Sequence, residues 1–149
     1  MTVLAAVDVR SGPEKPINIG YELATAFNET FVVLYVMPQE EYDQQQGRPD
    51  ELPSEFQEFT LENAMVVAAN KVDEVLNEVL GSYDHDTVES IGRIGSPEKE
   101  ILKMVEELSP RFVVVGGRKR SPVKKAVFGS VSQEIILQAE PPVVALMEE

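Results

Sequence analysis

Short apolar runs that alternate with segments of helical periodicity constrain the fold of this chain more than any other feature of its sequence. Most runs are continuously apolar, as in strands buried on both faces of a sheet, and one alternates apolar with polar residues. The segments between them place apolar residues three or four positions apart, as amphipathic helices do. The predicted strands are residues 2–7, 31–36, 87–94, 112–115 and 142–147, and the predicted helices are residues 16–28, 54–80 and 130–139, with a further helix between Pro97 and Pro110.

The resulting order, β-α-β-α-β-α-β-α-β, indicates the fold class. Strict alternation of this kind predicts an α/β domain in which a five-stranded parallel sheet is covered by helices on both faces, giving three layers. The chain has 149 residues, which is the size of one domain, and its sequence contains no internal repeat or linker. We therefore expect residues 1–149 to form a single domain.

Residues 39–53 interrupt this regular alternation. The stretch is polar, with three consecutive glutamines followed by Gly47 and Pro49, and it is too long for a tight connection. We expect it to be an irregular, mobile insertion that carries no chemistry of its own.

The chain is strongly acidic, with a formal net charge of −13 from 13 basic and 26 acidic side chains. This charge disfavours nucleic acid and anionic membranes as partners, and no apolar run has the length needed to span a bilayer. There is no cysteine, so thiol nucleophiles, disulfides and thiolate metal sites are excluded. The apolar start of the chain lacks the basic region of a signal peptide, and we expect a cytoplasmic protein.

A basic loop on this acidic chain is the clearest candidate for a binding site. Five cations and no acid fall within eight residues, at Arg118, Lys119, Arg120, Lys124 and Lys125. Concentrating like charges on one loop favours an anion nearby. The alternative is a solvated loop whose cations pair with acidic neighbours.

Glycine and serine residues on either side of the basic loop strengthen the anion interpretation. Gly116 and Gly117 follow the fourth predicted strand and let the backbone turn sharply beside a ligand. Gly129 and Ser130 begin the last predicted helix, where free N–H groups and the positive end of the helix dipole attract anions. The hydroxyls of Ser130 and Ser132 can donate hydrogen bonds as well. Together these groups predict a phosphate cradle beyond the carboxyl end of a parallel strand.

Each part of this cradle also has a purely structural interpretation. The two glycines can form an ordinary flexible turn, and residues 130–133, Ser-Val-Ser-Gln, fit a helix capping box. Both interpretations stay open at this point. Three common phosphate motifs are absent: the P-loop pattern G-x-x-x-x-G-K-[ST], the G-x-G-x-x-G pattern after the first strand, and a Ser-Gly-Gly loop at residues 8–12.

Four segments, taken in order, carry a further pattern. They are residues 3–8 (VLAAVD), residues 33–36 (VLYV), residues 95–97 (GSP), and Gly116, which twelve residues separate from Gly-Ser-Val-Ser at residues 129–132. Together they resemble the universal stress protein family over nearly the whole chain. The resemblance implies an α/β fold of the adenine-nucleotide α-hydrolase type with strand order 3-2-1-4-5. It also implies homodimers, often paired through the last strand, here residues 142–147, and ATP binding by some members.

The nucleotide-binding members of that family carry the pattern G-x2-G-x9-G-[ST]. It falls here on Gly116 and on Gly129-Ser130, but its middle glycine falls on Lys119. This departure either obstructs the phosphates or gives them a positive charge. The resemblance puts Asp8 at the ribose or adenine end, where the alternative is a loop cap. It also implies that Ala6, Val36 and Val115 line a base pocket, and the alternative for these three residues is core packing. The implied phosphate contacts include Gly117, Val131 and Ser132.

Three functions remain open from the sequence. The first is a dimeric stress-response regulator that binds ATP or AMP, with Mg²⁺ accompanying ATP, and has little or no hydrolysis. The second is a dimeric interaction module of the same fold that has lost the nucleotide, for which Lys119 is the support. The third is a slow ATPase, for which Asp8 is the candidate base. The sequence shows no nucleophile–base–orienter set, so we expect no enzyme, and its single histidine excludes a multi-histidine metal site.

Overall fold

The computed structural model describes residues 1–46, 61–116 and 129–147, and within these ranges the chain forms five strands and five helices. The strands are β1 (Thr2–Ala6), β2 (Thr30–Pro38), β3 (Val88–Gly95), β4 (Phe112–Gly116) and β5 (Val143–Leu146). The helices are α1 (Glu14–Phe27), α2 (Gln39–Gln46), α3 (Leu61–Leu80), α4 (Pro97–Leu108) and α5 (Ser130–Gln138).

All neighbouring strands of the sheet are parallel, and their order is β3-β2-β1-β4-β5. This confirms the predicted fold class and the strand order 3-2-1-4-5. The central strand is β1, in which Ala5 pairs with Val33 of β2 on one side and with Val114 of β4 on the other. The chain therefore leaves β1 toward one edge of the sheet and later returns to its other side. The strand order reverses between β1 and β4 as a result.

Successive residues of each strand pack against different helices, which gives the three layers. On one face, Val3 and Ala5 belong to a core that includes residues of α1 and α3. On the other face, Leu4 belongs to a core with residues of α4 and α5. Because both faces are covered, residues 31–37 of β2 are all buried. Burial on both faces is the physical reason for the continuous apolar runs in the sequence.

Helix α2 corrects the expectation that residues 39–53 form an irregular insertion. Residues 39–46 are helical, and the prediction is wrong for them because glutamine and glutamate are good helix formers that need no apolar stripe. Among residues 39–44, whose burial the structure describes, Tyr42 is the buried side chain, and it packs against the α1/α3 core. One buried residue leaves almost no periodic signal in the sequence. Residues 47–53 lie outside the described residues.

Helix α3 is amphipathic, with Ala64, Ala68, Val72 and Leu76 buried on one face. Its described part begins at Leu61, and residues 54–60 of the predicted helix lie outside the described ranges.

In the described parts of the chain, no helix combines the length and apolar character that crossing a membrane requires.

Helix α3 approaches the edge strand β3 closely at Gly92. A Cβ atom at this position would lie 2.4 Å from the carbonyl O of Met65 and 2.5 Å from the amide N of Ala69. Both atoms belong to the helix backbone, so neither can move aside as the end of a flexible side chain can. The absence of a side chain at Gly92 therefore sets the distance between α3 and the sheet.

We expect Gly92→Ala to lower the free energy of unfolding by about 3 kcal/mol, because the added methyl group forces α3 away from the sheet. Gly81→Ala is the matched control. Its φ of +68° disfavours alanine, but nothing lies within 4 Å of the added Cβ, so a loss of about 1 kcal/mol is expected from backbone strain alone. Urea unfolding measures both variants, and equal losses would contradict the packing argument.

Candidate functional site

A cavity of about 280 Å³ opens at the carboxyl ends of β1, β2 and β4, where the strand order reverses. Its walls come from the β1–α1 turn, the last residues of these strands and the first turns of α4 and α5. Ligands bind at this position in doubly wound sheets, because the connections from neighbouring strands run to opposite faces there and leave a crevice. We call this space the switch-point cavity.

The floor of the switch-point cavity is apolar. Ala6, Val36 and Val115, which the resemblance assigns to a base pocket, all line it, and Leu34 and Ile101 extend the same surface. Val36 and Val115 are also buried members of the core beneath α4 and α5. Core packing and cavity lining, which the sequence leaves as alternatives, are therefore both true of these two residues.

The first turn of α5 supplies a polar wall of the cavity. Gly129 is the N-cap residue, with φ −66° and ψ 162°, and no side chain caps the helix. The first hydrogen bond into the helix runs from the N–H of Gln133 to the carbonyl O of Gly129 at 3.0 Å. The N–H groups of residues 130–132 therefore have no partner within the helix. The predicted capping box is wrong, because Ser130 is the first helical residue and not the cap.

Ser132 ties the start of α5 to the end of β4. Its hydroxyl donates a hydrogen bond of 2.7 Å to the carbonyl O of Gly116. The sequence predicts that the Ser132 hydroxyl donates a hydrogen bond to a ligand. A hydroxyl has one proton, so in this arrangement Ser132 cannot do so. Ser132 instead fixes the position of Gly116 relative to the N-terminus of α5.

The sequence-predicted site residues divide into two groups. Gly117, Lys119 and the rest of the basic loop lie outside the described residues. All the others line the switch-point cavity and so come together in space: Ala6, Asp8, Val36, Val115, Gly116, Gly129, Ser130, Val131 and Ser132.

The β1–α1 turn forms a second polar part of the wall. Oδ1 of Asp8 accepts hydrogen bonds from the backbone N–H of Arg10 at 3.0 Å and from its Nε at 3.3 Å. Nη1 of Arg10 also donates to Oε2 of Glu41 in α2 at 3.0 Å. Asp8 therefore caps its own turn, which was the structural alternative, and at the same time lines the cavity.

Sequence reasoning misses Arg10 and Glu41. Arg10 has a local signal, because an aspartate followed two residues later by a backbone donor is typical of a side-chain-capped turn. Glu41 has none, since its approach to Arg10 depends on α2, which hydrophobic periodicity does not detect.

Tyr35 is a buried neighbour of these charges. It is 1% exposed, and its hydroxyl makes no hydrogen bond with the described residues. Burial, followed by the negative charge of Glu41, raises the pKa of Tyr35 to about 12, against the opposing effect of the Arg10 guanidinium. Tyr35 therefore stays an uncharged phenol at physiological pH and adds no negative charge beside the cavity.

We expect Tyr35→Phe to remove a late ionisation step from an alkaline absorbance titration. Because the pKa is raised in the folded state, the stability due to the neutral phenol is intact below about pH 10 and is lost as the pH rises toward 12. The wild type should therefore lose more stability than Tyr35→Phe across this window. Tyr83, whose pKa is also raised by burial and by Asp73, stays in both proteins. Superimposable titration curves would contradict the assignment.

Two sequence comparisons bear on this site. The model of the universal stress protein family matches residues 1–146. The chain is also 31% identical over 70 residues to the stress response protein NhaX of Bacillus subtilis strain 168. That alignment covers 47% of this chain and 39% of NhaX, so the chain spans well under half of the length of that relative.

Solved structures with a similar fold include two nucleotide complexes. One is the universal stress protein from Archaeoglobus fulgidus in complex with dAMP, with a TM-score of 0.53, 18% identity, and coverage of 97% of this chain and 96% of that chain. The other is a universal stress protein in complex with cAMP, with a TM-score of 0.60, 13% identity, and coverage of 99% and 96%. At these identities the similarity establishes the shared fold.

Proposed function

This chain belongs to the universal stress protein family, and on that premise we propose that it is a cytoplasmic stress-response protein that binds an adenine nucleotide, ATP or AMP, in the switch-point cavity. The nucleotide acts as a regulatory ligand with little or no hydrolysis. The observation that carries the proposal is that an apolar floor and an uncapped helix N-terminus meet in one cavity. The apolar floor suits a purine base, and the helix N-terminus suits a phosphate.

In the proposed pose, the adenine base lies on the apolar floor formed by Ala6, Val36 and Val115. Asp8 accepts a hydrogen bond from the ribose or from the base. The phosphate nearest to the ribose meets the free N–H groups at the start of α5, beside Gly116 and the exposed hydroxyl of Ser130. The complexes of two structural neighbours with dAMP and cAMP support an adenine nucleotide over other anions.

The size of the cavity agrees with this pose. Its volume of about 280 Å³ lies just below the range of about 300–1,000 Å³ that small-molecule pockets occupy. That space suits a nucleoside with its first phosphate. The outer phosphates of ATP, with Mg²⁺, extend through the mouth of the cavity.

Isothermal titration with ATP and AMP, each with and without Mg²⁺, tests the proposal. We expect Gly129→Val to weaken binding about tenfold or more, because its branched side chain covers the N–H groups that receive the phosphate. The φ of −66° at this position suits valine, so the variant is expected to fold. Gly129→Ala, which adds one methyl group, should bind with intermediate affinity.

The competing function is a dimeric interaction module that binds no nucleotide. Lys119, in the position of the middle motif glycine, is the observation that favours it. Lys119→Gly decides between the two roles of this lysine. Tighter nucleotide binding by the variant means that Lys119 obstructs the site, and weaker binding means that it contacts the phosphates. If no adenine nucleotide binds to either protein or raises the melting temperature, the interaction module replaces our proposal.

Hydrolysis is not part of the proposed function. Among the described residues that line the cavity, Asp8 is the one carboxylate, and its Oδ1 already accepts two hydrogen bonds from Arg10. The described ranges also contain no cluster of three or more acidic or histidine side chains suited to a metal ion. In this scheme Mg²⁺ arrives with the phosphates of ATP.

We further propose that the protein forms homodimers through β5. Among the described strands, β5 lies at the edge of the sheet and pairs with β4 on one side, so its backbone groups on the other side have no strand partner there. The N–H of Val113 in β4 donates to the carbonyl O of Pro142. Since backbone groups of successive residues point to opposite sides of a strand, the N–H groups of Val143 and Ala145 point away from β4.

We expect Ala145→Pro to shift the protein toward the monomer, because it removes an outward N–H that pairs with the second subunit. The β4–β5 ladder should survive, since proline is tolerated where the missing N–H faces away from the sheet. Light scattering after size-exclusion chromatography measures the mass of wild type and variant. Circular dichroism checks that the variant is folded. A folded variant that stays dimeric would argue for a different interface.

A further inference from the structure

The two oxygens of the Asp8 carboxylate have different surroundings. Oδ1 accepts two hydrogen bonds from Arg10, one from the backbone N–H at 3.0 Å and one from Nε at 3.3 Å. Oδ2 has no hydrogen-bond partner in the part of the chain that the structure describes. Asp8 lines the switch-point cavity, and its side chain is 49% exposed. Oδ2 is therefore an accessible acceptor for a donor group of a ligand.

Arg10 is itself held through a second nitrogen. Its Nη1 lies 3.0 Å from Oε2 of Glu41 in α2, and Nζ of Lys71 in α3 lies 3.8 Å from Oε1 of the same carboxylate. Charges of alternating sign therefore connect α3, α2 and the β1–α1 turn. Glu41 is not among the residues that line the cavity, and its hydrogen bond with Arg10 connects it to Asp8.

We propose that Arg10 and Glu41 are positioning residues that hold Asp8 in one orientation, with Oδ2 presented to a hydrogen-bond donor of the bound nucleotide. The donor is a ribose hydroxyl or the exocyclic amine of adenine. This inference rests on the proposed function, because it requires such a ligand in the cavity. A nucleotide that lacks the donor leaves the oriented acceptor unpaired. Arg10 lines the cavity beside Asp8 and Glu41 does not, and both set specificity through the orientation of the Asp8 carboxylate.

The exposure of these groups favours an orienting role over a role in stability. The side chains of Asp8 and Arg10 are 49% and 54% exposed, and ion pairs in contact with water contribute little to folding. Limiting the rotation of one carboxylate, by contrast, needs only two directed hydrogen bonds. Preorganisation of this kind raises affinity, because the ordering of Asp8 takes place before the ligand arrives.

A cycle of variants and ligands tests the proposal. Wild type, Arg10→Gln and Glu41→Gln are titrated with AMP, its 2′-deoxy and 3′-deoxy analogues, and purine riboside monophosphate, which lacks the adenine amine. In the wild type, the analogue without the relevant donor should bind about tenfold more weakly than AMP. In both variants this difference should fall below about threefold, because the Arg10 guanidinium is absent or no longer held by Glu41. The backbone N–H of residue 10 alone leaves the Asp8 carboxylate freer to turn. Unchanged discrimination in both variants, or none by the wild type, overturns the proposal.

Charge controls separate orientation from net electrostatic attraction. Arg10→Gln makes the protein more negative and Glu41→Gln makes it less negative, so net charge cannot produce the same loss of discrimination in both. Lys103→Gln is the matched control, since it removes one positive charge from an exposed lysine of α4. This variant should keep the discrimination of the wild type. Loss of discrimination in Lys103→Gln would overturn the positioning role.

A measurement without nucleotide keeps this inference separate from the proposed function. Three-bond couplings to the β-protons of Asp8 report whether its χ1 angle occupies one rotamer or an average of several. We expect one rotamer in the wild type and averaging in Arg10→Gln and Glu41→Gln. If the wild type shows this pattern but binds no adenine nucleotide, the proposed function fails and the positioning of Asp8 stands. If nucleotide binds and the couplings are the same in all three proteins, the positioning role fails alone.

Discussion

The parallel pairing of β1 with β2 on one side and with β4 on the other is the constraint on which the rest of this structure depends. Ala6, the last residue of β1, pairs in register with Leu34 and with Val115. One row of the sheet therefore brings three apolar residues of distant sequence positions to the floor of a single cavity. The connections on either side of this row run to opposite faces of the sheet, and the space between them stays open.

A protein with a net charge of −13 is an unexpected host for an anionic ligand. Charge acts over distance, however, and salt screens it beyond about 10 Å at 0.1 M ionic strength. The N–H groups at the start of α5 act at contact distance and are directed into one cavity wall. In the proposed complex these directed N–H groups outweigh the overall charge, and the five basic residues that the sequence places between β4 and α5 add positive charge to that part of the chain.

Much of the fold and of the candidate site could be predicted from the sequence, because both depend on local patterns. Ala6, Val36 and Val115 stand at or near the ends of apolar runs, and parallel strands bring their carboxyl ends to the same edge of the sheet. Helix α2 could not be predicted from periodicity, since it buries little more than Tyr42. The capping box failed for a different reason: the helix begins after Gly129, one residue before the point that the Ser-Val-Ser-Gln pattern indicates.

The sequence by itself determined the alternation of strands and helices and the burial of both faces of the sheet, because both patterns are carried by neighbouring residues. Only the tertiary structure decided which polar groups meet. The Ser132 hydroxyl donates a hydrogen bond to the carbonyl O of Gly116, sixteen residues earlier, and Arg10 joins Asp8 to Glu41, thirty-one residues after Arg10. Such partners depend on how separate elements pack, which no local periodicity contains. The sequence therefore named Asp8 as a candidate, and the structure decided that Oδ1 pairs with Arg10 while Oδ2 has no partner among the described residues.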